Sequence, residues 1–354
     1  MPFYKDFRYT EKEDHIIIRA YCGDDVDIVV PETIKEKPVQ EISPFAFVPE
    51  MDEMQITIND DKKRCTKRIR SIQLPSTILR LDRAFACCFE LEEIELPPYA
   101  ALIEDNFHLC YALKEIRVPE ENPHYASRNG VLYSKDGKRL LRCPPGHALN
   151  VEDIFDGIEA IADSAFEFCK NLLNVTIPES VSVIEGYAFS NCRNLSHIQL
   201  HPNIQMVGDG HFWCCKSLDN VIYFNIDELI PNREFYSCEH LENIDIQCKI
   251  SSIGENAFCN SALMEFTVPK GTKVIKRSAF MHCFALKTIR IPRSVSRINE
   301  DAFINCGKNY LTEEQKADES YAWRGPDAYS TFYVFAGSKA DLLCQKKKYA
   351  ISYL

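Results

Sequence analysis

The sequence predicts a repeat solenoid: a right-handed coil with one short parallel strand per repeat, mostly β and irregular with short helical turns, capped at both ends. Three observations predict it. Phe166, Phe189, Phe212, Phe235 and Phe258 follow one another every 23 residues, the spacing slips to 22 at Phe280 and returns at Phe303, and Phe85 and Phe107 are also 22 apart. Around each Phe the same residue types come back at the same distances. The composition, 45% hydrophobic and 26% charged, is that of a folded chain, and no window approaches the roughly 18 apolar residues of a membrane span. Length alone would suggest about two domains, but a self-similarity of 20 to 29 residues overrides that prior.

Nine units share a template: an aliphatic residue, Phe five later, Cys three further, Leu three further, then an alternating aliphatic pair often ended by Pro. One unit is Ile161, Ala165-Phe166, Cys169, Leu172, Val175, Ile177 and Pro178; another is Ile275, Ala279-Phe280, Cys283, Leu286, Ile289, Ile291 and Pro292. The pair Val175-x-Ile177 alternates as a half-buried strand does, and Pro closes it because it lacks the N–H for the next ladder bond. A single unit cannot bury its own apolar set. Stacked at about 4.8 Å, units place Phe on Phe, Leu on Leu and Ile on Ile.

These units, of the form I-x-x-x-AF-x-x-C-x-x-L-x-x-I-x-IP, resemble the BspA-like class of leucine-rich repeats. The resemblance covers nearly the whole chain. Residues 1–47, with "DHIIIRAYCGDDVDIVVPETIKEKPVQEISPFAF", look like that family's N-terminal cap and first turn. Residues 48–68 are a polar, charge-mixed insertion loop. Residues 69–306 are the repeats, broken by the insertion 121–146, where Asp136-Gly137 between "VLYS" and "RLLR" predicts a hairpin with a type I′ turn. Residues 307–331 form a second insertion loop, and 332–354, "FYVFAGSKADLLCQKKKYAISYL", resemble the family's closing strand, short helix and last strand.

Chemistry is sparse in this pattern. Cys88, Cys110, Cys169, Cys192, Cys215, Cys238, Cys283 and Cys306 share one phase and therefore form a column, with Ser261 near its gap. Stacked equivalent side chains run parallel and do not offer the near-right-angle torsion of a disulfide, so the column is expected to hold small buried thiols. There is no C-x-x-C, no paired H-x-x-x-H, no G-x-S-x-G elbow and no phosphate loop. No catalytic residue, metal ligand or cofactor is expected. The formal net charge of −11 repels a phosphate backbone, which excludes nucleic acid as the expected partner.

Binding is the remaining class. Residues between the buried aliphatics of each strand face outward and form a polar ribbon. Its N-terminal part is acidic: Glu93 and Glu95, then Glu115 and Arg117. Asn174 and Thr176, His197 and Gln199, Asn220 and Ile222 follow, then Asn243 and Asp245, and lastly Thr288 and Arg290. Trp213, Phe224, Tyr321 and Trp323 are candidate aromatic anchors beside it, whereas Tyr223 takes a core phase. The expected partner is a protein bound by a monomer with no membrane insertion; the alternative is carbohydrate or a small ligand. An N-terminus without a signal-like apolar core and sixteen cysteines suggest a reducing cytoplasm. The family resemblance instead implies a secreted or surface protein, should a leader precede this chain.

Overall fold

The structure, a computed structural model, describes residues 2–48, 68–103, 106–148, 155, 157–307 and 330–354. It divides into two compact units, Met1–Leu149 and Asn150–Leu354. Both insertion loops expected around 48–68 and 307–331 fall almost wholly outside the described residues, and Tyr321 and Trp323 lie there too.

The first unit opens with antiparallel strands Phe3–Tyr4, Phe7–Glu11 and Ile16–Tyr21. It then becomes parallel: Ile16–Tyr21 pairs with Lys37–Ile42, which pairs with Arg80–Asp82 and on to Ala101–Ile103. A second parallel sheet stacks Asp27–Val29, Ser71–Gln73, Glu93–Glu95 and Glu115–Arg117. The insertion is a meander of Tyr125–Arg128, Val131–Ser134 and Arg139–Arg142. Its type I′ geometry sits elsewhere than expected. Asn129 and Gly130 both have positive φ (49° and 81°) and join Arg128 to Val131 directly, as a two-residue I′ turn requires. At Asp136-Gly137 only Gly137 is left-handed (72°), because the loop is longer: Gly137 N–H bonds the Ser134 carbonyl and Asp136 Oδ1 takes the Lys138 N–H.

Every complete turn of the second unit contributes two strands, not one. Asn174–Thr176, His197–Gln199, Asn220–Tyr223 and Asp245–Ile246 stack in one parallel sheet, and Glu265–Thr267, Thr288–Arg290, Thr331–Val334 and Ala350–Tyr353 in another. The aliphatic five residues before most of these Phe residues lies in a second strand, as in Val183–Glu185 or Ser252–Ile253, where it too is buried; before Phe212 the buried residue is Met206, six earlier. The helix Lys339–Lys347 starts at Ser338, whose hydroxyl accepts the Asp341 N–H, and stops at left-handed Lys348.

Each Phe forms the axis of its turn. Phe166, Phe189, Phe212, Phe235, Phe258, Phe280 and Phe303 stack at centroid distances of 5.1 to 5.8 Å and interplanar angles of 4° to 15°. Isolated ring pairs prefer offset or edge contacts; here the repeat imposes near-parallel rings. From Phe166 to Phe280 the chain bends around each ring by placing the residues two before and two after it in the left-handed region. Ser164 and Phe168 flank Phe166, Tyr187 and Asn191 flank Phe189, and Asn256 and Asn260 flank Phe258, all with φ between 54° and 64°. The N–H groups of Phe166 and Phe168 then bond the carbonyls of Ala188 and Ser190 in the next turn, giving a third ladder besides the two sheets.

The cysteine column has a structural reason. All described cysteines are free. The Sγ of Cys192, Cys215, Cys238, Cys283 and Cys306 lies 3.0–3.2 Å from the Phe carbonyl of the turn before it. Each thiol is thus a small buried donor that ties one turn to the last. Ser261 fills the gap, its hydroxyl 3.4 Å from the Cys283 sulfur.

Candidate interaction surface

The ribbon forms where the alternation places it. In the first unit Glu93, Glu95 and Glu115 surround Arg117, whose guanidinium reaches Glu93 and Glu115 at 3.0 Å and Glu95 at 3.8 Å. All four are at least four-tenths exposed, so the cluster fixes side-chain positions and adds little stability. Arg117 thereby offsets part of the acidic character of this face.

In the second unit Asn174, His197 and Asn220 align in register, as do Thr176, Gln199 and Ile222. Asp245 pairs with Ile222, but Asn243 precedes the shortened strand Asp245–Ile246 and is not part of it. The ribbon is interrupted there: the sheet ends at Asp245–Ile246 and the next begins at Glu265–Thr267. Thr288 and Arg290 belong to this second sheet, with Arg290 3.6 Å from Glu265 and stacked on the Tyr333 ring.

A groove of about 480 Å³ lies on the first of these sheets, lined by His197, Asn220, Asn243, Ser217, His240, Asp219 and Glu242. Its lining repeats the 23-residue period: 197, 220 and 243 share one phase, 217 and 240 another, 219 and 242 a third. His197 Nδ1 is 3.4 Å from the Asp219 carboxylate. His240 Nδ1 is 2.6 Å from the Lys216 carbonyl, so that nitrogen carries the proton and donates. Two carboxylates face the groove and neither Lys nor Arg lines it. Sequence reasoning named His197, Asn220 and Asn243 but missed Ser217, Asp219, His240 and Glu242, which belong to the turn leading into each strand and not to the alternation. Among the described residues no group of three or more His, Cys, Asp or Glu is placed to hold a metal.

Of the aromatic candidates, Trp213 is half-buried between Tyr187, met edge-on at 6.3 Å, and Tyr236, met at 6.3 Å and 45°. Phe224 is half-buried just after Asn220–Tyr223, and Tyr223 is fully buried, in keeping with its core phase.

One pair was hidden by the template. The position before each Phe is Ala in Ala165, Ala188, Ala257, Ala279 and Ala302, but His211 and Glu234 hold it in two consecutive turns. Both side chains have no exposed surface, and His211 Nδ1 is 2.6 Å from Glu234 Oε2. The adjacent breaks in the template, His-Phe and Glu-Phe where Ala-Phe is the rule, were the available signal.

A coil of parallel two-strand turns with a Phe axis defines a leucine-rich-repeat solenoid. The BspA type leucine rich repeat region matches in six copies over residues 36–129, 148–229 and 228–313, and the chain belongs to that family. Its fold is similar to the crystal structure of a leucine-rich repeat protein from Eubacterium ventriosum, at 22% identity and a TM-score of 0.64, covering 81% of this chain and 77% of that one. It is also similar to the pneumococcal vaccine antigen PcpA, at 15% identity and a TM-score of 0.50, covering 99% and 98%. No curated protein matches the chain.

Proposed function

We propose that the chain is a non-catalytic interaction module that binds a partner protein through the strand face of its second unit, centred on the groove between His197 and Asn243. The observation that carries this reading is the groove itself: about 480 Å³ on the outward face, with two carboxylates, two imidazoles and neither Lys nor Arg. Such a surface is complementary to a segment rich in Lys or Arg, which would steer the encounter and fix its register. Trp213 and Phe224, half-buried, are secondary contacts in this reading, whereas Glu93, Glu95, Glu115 and Arg117 belong to the first unit, are already engaged with one another and have no part in it. The carbohydrate alternative leans on Tyr321 and Trp323, outside the described residues, and has no comparable support.

A photo-reactive residue at Asn220 is expected to cross-link a discrete partner in the native cell, and Asp219→Lys with Glu242→Lys is expected to abolish that product while the same label at Thr288 stays silent. Cross-linking that is absent, or indifferent to the charge reversal, overturns the reading. Fractionating the same cells separates a cytoplasmic from a surface setting.

A further inference from the structure

We propose that His211 and Glu234 form a proton-dependent clasp that holds together the two turns carrying the groove, closed while His211 is an imidazolium and loosened when the ring loses a proton. The two turns run from His211 through Phe212 to Ser217, Asp219 and Asn220, and from Glu234 through Phe235 to His240, Glu242 and Asn243. The groove is thus lined by the far ends of the segments that the clasp joins at their start.

The demand for a charged ring is geometric. Nδ1 of His211 faces the Glu234 carboxylate at 2.6 Å and Nε2 faces the Val207 carbonyl at 3.2 Å. With Glu234 as a carboxylate both partners are acceptors, and a neutral imidazole has only one N–H to give. The His211 backbone N–H also donates to Glu234 Oε2, at 3.2 Å, while Oε1 is buried with no hydrogen-bond partner. The carboxylate thus takes both of these hydrogen bonds from His211, with the buried Tyr223 hydroxyl also facing it.

The site is also where the coil is irregular. Met206 pairs with Ile184, one residue short of the period, and the segment from Met206 to Phe212 is correspondingly one residue longer, turned by Gly208 (φ 95°) and Gly210 (φ 63°). Its sheet ends at Gln205–Val207, so no further strand follows to take the Val207 carbonyl, and the His211 ring takes it instead. Removing the ring proton sets acceptor against acceptor beside the backbone bonds from Gly210, Phe212 and Cys214 N–H to the Asn232, Glu234 and Tyr236 carbonyls, which are what otherwise joins the two turns here.

The groups that face the pair are Asp209, Tyr223, Cys215 and Cys238. Burial pushes the Tyr223 hydroxyl and both thiols well up, so they stay neutral between pH 6 and 8, and Asp209 adds negative charge that favours the imidazolium. Burial by itself lowers the His211 pKa, but the charge and hydrogen bond of Glu234 outweigh it and raise the pKa above its ordinary value. The sign follows: the contribution is complete below the ordinary histidine range, about 6.5, and is lost as pH rises through the folded value.

Hydrogen exchange, corrected for intrinsic rates, tests this between pH 6 and 8 on the wild type and on His211→Ala with Glu234→Ala, which restores the Ala column. In the wild type, protection of residues 211–220 and 234–243 is expected to fall by up to about tenfold per pH unit, the limit for one proton, from about pH 6.5, where the opened ring loses its proton, up to the pH at which His211 titrates in the folded chain. The double variant is expected to fold, since Ala already holds this position in Ala165, Ala188, Ala257, Ala279 and Ala302, and to lose that pH dependence. The His211 ring shifts in NMR should titrate at the pH where that fall levels off. Equal pH dependence in both proteins, or a ring that is neutral at pH 6, overturns the clasp. These outcomes do not depend on whether the strand face binds a partner.

Discussion

Cys192 illustrates how a residue that looks reactive in isolation becomes structural in register. Its thiol donates to the Phe166 carbonyl at 3.0 Å, and burial pushes its pKa well up, as it does for Cys215 and Cys238. Such thiols are poor nucleophiles and poor ligands. A group kept neutral in the folded chain changes nothing below its unfolded pKa, about 8.5 for Cys; above that value the unfolded chain ionises and the folded chain does not, so stability falls. The denaturant midpoint is therefore expected to drop steadily from pH 8 to 10, and to drop less when Cys192, Cys215 and Cys238 are all changed to Ser. An unchanged slope in that variant would assign the alkaline loss elsewhere. Ser261, at the column's gap, indicates that a hydroxyl is tolerated at this phase, so Cys192→Ser should cost about 1 kcal/mol or less. Cys192→Val removes the donor and widens the side chain at Cβ in a packed column, and should cost about 1–3 kcal/mol.

At the scale of the element, the turn around each Phe depends on its two left-handed residues. Asn256 (φ 56°) is half-buried and lies two before Phe258, where it tests the backbone with little interference from packing. Asn256→Gly should leave stability within about 0.5 kcal/mol, and Asn256→Val should cost about 1–3 kcal/mol because a β-branched side chain clashes in this region. Equal urea midpoints for the two variants would mean that the turn relaxes out of the left-handed region. These positions also show where the sequence was opaque. Phe, Cys, Leu and the aliphatic pair recur because they fill a shared core, so the coil and its strand face could be derived from spacing alone. The left-handed positions hold Ser, Tyr, Gly, Arg and Asn in different turns, because what is selected there is the absence of β-branching, which leaves no residue-type signature. The second strand of each turn was hidden for a related reason: it carries a single buried aliphatic residue, such as Ile184 or Ile253, so no alternating pair marks it. Asp219, His240 and Glu242 stayed out of sight because the groove is made by the path into each strand, which no periodicity of two describes.

For the molecule as a stack, stability is a sum over turns and their interfaces, so damage should spread from where it is made and fade with distance. The C-terminal end of the second unit offers a clean test. There Phe332 meets Phe303 edge-on at 5.1 Å and stacks on Tyr349 at 4.7 Å, ending the Phe column with strand and helix instead of another repeat. Phe332 has no exposed surface. Phe332→Ala should cost about 3–5 kcal/mol, the range for a buried aromatic, by detaching Thr331–Val334, Lys339–Lys347 and Ala350–Tyr353 from Thr288–Arg290. Loss of that cover leaves Thr288–Arg290 as an open edge. Hydrogen exchange on the variant should therefore show a gradient within the second unit: protection lost around Phe303, reduced around Phe280 and retained around Phe166 and Phe189. A uniform loss along the unit would mean that it opens as one block and that the nearest-neighbour description fails; no loss beyond the cap itself would mean that the Phe column carries no coupling between turns.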